Sequence, residues 1–176
     1  MGTNSGIYKF VYVLHLMTVI VGFGSVFLFG VFGAKAKARG GREGLAISQA
    51  TFEVGKQWSE WFIYAVPIFG IILVLLSDDQ YKFSQAWISL SFLLYIVALG
   101  VHHGMQTPNI RRMNELAAEL ATAGSPAGGA AGGPPPQVAE LEARGKRAAA
   151  LGAVLNLITI GIVFLMTWKP GAPGGV

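Results

Sequence analysis

Charge-free apolar runs, each closed by ionisable residues, divide the chain. The first lies between Lys9 and Lys35, where 25 consecutive residues carry no charge. As a helix at ~1.5 Å per residue it reaches about 37 Å, enough to cross a ~30 Å hydrocarbon core with some tilt. Three further runs follow: Trp61 to Ser77 (17 residues), Phe83 to Ile110 (28, apolar as far as Gly104) and Ala148 to Trp168 (21). The pattern predicts an all-α integral membrane four-helix bundle, one domain over residues 1–176, with spans at about 8–33, 60–77, 84–104 and 148–168. The Ala-Lys-Ala after Gly33 loosely resembles a signal-peptidase site. The run before it is far longer than the ~7–15 residues of a secretory signal, so a retained span is expected.

The second run is short, but Trp58, Trp61 and Tyr64 can anchor it in the headgroup layer. Pro67 falls inside it and removes one backbone donor, which predicts a kink. The link Asp78 to Lys82 is so tight that spans two and three are expected to be antiparallel neighbours.

Between spans three and four, Ile110, Met113, Leu116, Ala117 and Leu120 recur at helical spacing. A Gly/Pro-rich stretch at 124–136 follows, with a composition that cannot build a packed core. Helical character then returns in QVAELEARGKRAAA. A cytoplasmic helical hairpin with a flexible hinge at 124–136 is predicted, extending helices three and four. The first loop is mixed, with room for a short interfacial helix.

Charge sets the orientation. Lys35, Lys37, Arg39, Arg42, Lys56, Arg111, Arg112, Arg144, Lys146 and Arg147 fall on one side, against Lys9, Lys82 and Lys169 on the other. The positive-inside rule puts both long loops in the cytoplasm and both termini outside, in a bacterial inner membrane. A net charge of +4 distributed in this way is no nucleic-acid footprint. With 53% apolar and 12% charged residues, the expected surroundings are membrane lipids. Cysteine is absent, which excludes disulfides, thiolate metal sites and cysteine nucleophiles.

Candidate chemistry rests on three histidines. His15 lies within the first span, where an ionisable group is costly and invites a functional reading. It can serve haem or copper, or act as a structural strut bonded to a neighbouring helix. His102 and His103 end the third span. As neighbours on an α-helix they diverge by ~100°, so they are not expected to grip one ion from the same face. Counting residues from the start of each span places His15 and His102 about 14 positions, or ~21 Å, apart in depth. A haem b held between them is therefore disfavoured.

Glycine supplies the other signal. Gly22, Gly30 and Gly33 share a face of the first helix, and Asn156 lies in a small or polar stripe of the fourth. These four are expected to mediate helix packing, with Asn156 bonding to a neighbour. No Walker loop, His-Glu-x-x-His or Gly-x-Ser-x-Gly occurs, and all nine acidic residues fall outside the charge-free runs, so no catalytic residue is assigned.

The runs LHLMTVIVGFGSVF, WFIYAVPIFGIILVLLSDD and WISLSFLLYIVALGVHHGMQTPNIRRM resemble an uncharacterised family of bacterial four-span predicted integral membrane proteins, a domain of unknown function. More distantly, the Leu-His opening followed by glycines is similar to copper-resistance D-type membrane proteins and to protoporphyrinogen oxidase of the four-helix type. Those groups imply a metal- or haem-serving histidine at the position of His15. The oxidase also relies on a lysine in a later helix, and no span here contains one. The expected function is a non-enzymatic accessory or structural subunit, associating with other membrane subunits or with itself. A haem- or copper-binding redox protein is the alternative, and a small transporter the third reading.

Overall fold

The computed structural model describes residues 2–122 and 135–171; the predicted hinge falls, except for its last two prolines, outside them. The described residues are helical, without a strand. Helix α1 (Gly6–Arg39) is followed by α2 (Gly41–Val54), α3 (Glu60–Leu76), α4 (Ala86–Val101), α5 (Thr107–Thr122) and α6 (Pro136–Trp168). Short π-helical turns, Gly55–Ser59 and His102–Gln106, splice α2 to α3 and α4 to α5. The result is four rods of 34, 36, 37 and 33 residues, each long and apolar enough to cross a membrane.

Local chemistry sets the ends. Ser5 caps α1, its hydroxyl oxygen accepting from the Tyr8 amide at 3.3 Å. Gly40 (φ +61°) and Gly41 (φ +49°) then reverse the chain in a conformation that only glycine adopts cheaply. At the opposite end Asp78 and Asp79 hold positive φ, and Ser77 Oγ organises the turn. That oxygen donates to Val74 O at 2.8 Å and accepts from the Tyr81 amide at 3.0 Å. Proline opens α6, where a missing N–H costs nothing.

Helix α1 packs along α3 and α2, α6 packs along α4 and α5, and α2 meets α5. Two buried clusters lie between them: Phe23 with Val66 and Ile162, and Trp87 with Ile88 and Leu165. Leu116 of α5 is completely enclosed. Most other apolar side chains face outward, Trp61, Leu75 and Leu157 among them at about 70% exposure. A surface this apolar suits lipid rather than water. The chain is thus a multi-pass membrane protein by the length and composition of its helices.

Three expectations take a more definite form. The first loop, which had room for a short helix, is helical from Gly41 and continuous through Gly55 into α3. Charged residues end the apolar run, but no proline interrupts the helix there. Secondly, α3 and α4 are joined by the tight turn but make few close backbone approaches. Long side chains bridge them instead. Finally, α3 is helical on both sides of Pro67. Its Ile63 carbonyl, four residues earlier, loses its helical donor and accepts from Tyr95 Oη at 3.2 Å.

Candidate functional site

The two π turns lie on neighbouring rods at a common level. In each, one amide reaches back five residues rather than four: Glu60 N–H to Gly55 O, and Thr107 N–H to His102 O. The wider turn re-aims the side chains beside it. π-Bulges are rare and concentrate at functional sites.

Here they bring Glu60, His102 and His103 together. One potential ligand atom from each lies within 4.8 Å of the others. Adjacent histidines were expected to diverge, yet their rings stand 4.9 Å apart, edge to face at 77°. The rings meet at a π turn, which is wider than the α turn on which the ~100° expectation rested.

Glu60 is the centre of the group, with its side chain 12% exposed. Lys56, one turn away, donates to both carboxylate oxygens at 3.0 and 3.1 Å. His102 Nε2 lies 3.3 Å from Oε1. The Tyr64 hydroxyl donates toward Oε2 at 3.4 Å and lies 2.8 Å from His103 Nε2, the two rings being stacked. Glu60 was read from sequence only as the flank of an apolar run. Its role depends on a one-residue phase shift that hydropathy does not reveal.

His15 sits elsewhere. Its Nδ1 is 3.0 Å from Val66 O; a carbonyl can only accept, so this nitrogen carries the proton. The ring lies over Gly70, where an added Cβ would stand 3.5 Å from Cε1. His15 is buried and ties α1 to α3 through this bond. Measured along α3, Val66 and Gly70 lie six and ten residues beyond Glu60, so His15 is ~9–15 Å from the level of the cluster. That is less than the ~21 Å obtained by counting from the span starts, because the charge boundaries of two spans do not mark one plane. The three histidines still share no site.

The expected packing residues divide. Gly22 admits the α3 backbone, with an added Cβ only 3.1 Å from Ile63 N. Gly30 and Gly33 have nothing within 4 Å of such an atom. They make no close approach within this chain, because α2 rather than α3 runs beside that part of α1 and touches it elsewhere, at Ala36 and Gly44. Asn156 Oδ1 is buried without a hydrogen-bond partner, contrary to the expected interhelical bond.

Beyond the cluster, polar ties continue between the rods. Ser48 Oγ donates to Asn114 Oδ1 at 2.6 Å, and buried Asn109 Nδ2 donates to Arg144 O at 3.0 Å. Arg112 and Arg144 converge on Glu140 at 3.5 and 2.8 Å. The Arg144 hydrogen bond, and then the nearby Arg112 charge, hold the Glu140 carboxyl below its ordinary value. Arg112 is itself held above its own by Glu115.

Chemically, a carboxylate between two imidazoles, a phenol and an ammonium can bind a cation or pass a proton along its hydrogen bonds. Comparison with protein-family models, with curated proteins and with solved structures finds no match for this chain.

Proposed function

We propose that the chain is a bacterial inner-membrane protein acting as a non-enzymatic accessory or structural subunit, seated against other membrane polypeptides. One observation carries the reading: the contrast among the glycines of α1. Gly22 is required by the chain's own packing, whereas Gly30 and Gly33 stand in open space. Glycine inside a helix costs up to ~1 kcal/mol relative to alanine. Two such residues that the bundle does not use leave the backbone of α1 bare of side chains there. In lipid, small residues of this kind let a second helix approach closely.

The distribution of lysine and arginine supports an orientation with both termini outside and both long loops in the cytoplasm. In that orientation α5 and the start of α6 form a cytoplasmic hairpin, tied by Arg112, Glu140, Asn109 and Arg144. The haem or copper reading through His15 has less support, since the group of potential metal ligands found among the described residues does not include it.

The test is gentle solubilisation from the native membrane, with the mass of the particle measured for wild type, Gly30→Leu and Gly33→Leu. The subunit reading expects a particle heavier than the 18.7 kDa chain, reduced to that chain by either leucine. A lone wild-type monomer, or an assembly indifferent to both substitutions, would refute it.

A further inference from the structure

A role in assembly leaves the cluster at the two π turns unexplained. We propose that Glu60, His102 and His103 form a binding site for a divalent first-row transition-metal ion, in which the Lys56 ammonium holds the ion's place when it is absent.

The donor set is two imidazole nitrogens and one carboxylate, contributed by two rods. Imidazole favours zinc, copper, iron, cobalt and nickel over calcium and magnesium, and no thiolate is available to select a softer ion. Three protein ligands leave further positions for water or an external ligand. The candidate atoms lie within 4.8 Å of one another, whereas bonds of ~2.0–2.2 Å in a tetrahedral shell require them about 3.3 Å apart. The closure is small, and side-chain rotation can supply it. His103 is exposed and His102 half-buried, so an ion can reach them, while the carboxylate behind is shielded.

The present partners occupy the positions of a cation. Lys56 spans both Glu60 oxygens, and the Tyr64 hydroxyl stands at His103 Nε2. To bind through Nε2 the metal displaces that hydroxyl, and to reach Glu60 it displaces Lys56 from at least one oxygen. Tyr64 and Lys56 then become outer-shell partners that orient the ligands. Binding needs no electron transfer: each ligand lends a lone pair, and any proton on the bonding nitrogen moves to the other ring nitrogen or to water. A purely structural tie would use the same hydrogen bonds. It would not discriminate among metals, and it would weaken when Lys56 is removed.

The full chain in lipid nanodiscs is titrated with Co²⁺, following the visible d–d band, and Cu²⁺ spin resonance counts coordinated nitrogens. One Co²⁺ per chain, displaced by Zn²⁺, is expected. Glu60→Gln, His102→Gln and His103→Gln should each weaken binding by about tenfold or more, since loss of even an outer-shell partner costs 10–100-fold. The two-nitrogen copper signature should fall to one in each histidine variant. Lys56→Met should bind Co²⁺ more tightly than wild type. Circular dichroism and gel filtration establish that each variant is folded; the wild-type titration and Lys56→Met carry the test should a ligand variant fail. Absence of Co²⁺ uptake by wild type would overturn the proposal. So would full affinity in the ligand variants, or equal or weaker binding by Lys56→Met.

Discussion

Tyr95 donates its hydroxyl hydrogen to the Ile63 carbonyl, the acceptor that Pro67 leaves without a helical donor. One residue of α4 thus repairs a defect created in α3. The repair also binds two helices that otherwise approach each other little. The same piece of α3 is held from the other side, where Gly22 admits the Ile63 backbone and His15 bonds to Val66 O.

The repair predicts a measurable coupling. Tyr95→Phe should destabilise the protein by about 0.6–1.7 kcal/mol, the range for interhelical hydrogen bonds in bilayers. In a Pro67→Ala background the restored amide can serve Ile63 itself, and the same substitution should cost markedly less. Unfolding in mixed micelles, followed by circular dichroism over the four-variant cycle, supplies both numbers. Equal costs in the two backgrounds would mean that Tyr95 does not act through the proline defect.

Glycine substitutions in α1 should divide by position. Gly22→Ala places a Cβ 3.1 Å from Ile63 N, where the neighbour is backbone, and is expected to cost about 1–3 kcal/mol. Gly30→Ala meets open space and should be neutral or stabilising by up to ~1 kcal/mol in the isolated chain. Denaturation midpoints of the detergent-solubilised monomers would show the difference.

The contact between α5 and α6 should loosen in acid. Glu140 is held below its ordinary value of 4.5, first by the Arg144 hydrogen bond and then by Arg112. A depressed carboxyl contributes stability that is complete above its unfolded value and is lost as pH falls through the folded one. Protection factors of amides in residues 108–120 and 138–147, taken relative to the intrinsic exchange rate at each pH, should therefore fall below about pH 4.5, while those of the spans hold. The charges are solvent-exposed, so added salt should reduce the effect. Glu140→Gln should abolish that loss of protection.

Asn109 should matter more than the ion pairs beside it. It is buried at 3% exposure, and its amide donates to Arg144 O. Asn109→Ala leaves that carbonyl without this donor and is expected to cost about 1–3 kcal/mol. Arg112→Ala removes only exposed, screened charge contacts and should cost clearly less. Chemical unfolding of both variants would rank them.

Much of the architecture was legible because hydropathy is an average over many residues. Four long charge-free runs survive small errors of placement, as do the turn at Asp78–Asp79 and the helical spacing around Leu116. The strut role of His15 was legible as one of two readings. The cluster was not legible, because the convergence of Glu60 with His102 and His103 depends on single extra residues in two helical turns. No feature of the composition at 55–59 or 102–106 announces them. What Gly30 and Gly33 face was not legible either: angular spacing places residues on a face but does not say what lies opposite.

Each π turn contains one residue more than an α turn would. A one-residue deletion within 55–59 or 102–106 that returned the rod to an ordinary helix would leave the residues beyond it in phase, because the wider turn with its extra residue covers about the same angle as the α turn that replaces it. Ser48 would stay near Asn114 and Asn109 near Arg144. The change would fall on the turn itself, and so on the convergence of Glu60 with His102 and His103. Each extra residue is thus a local device that aims a few side chains and leaves the rest of its rod where an unbroken helix would put it.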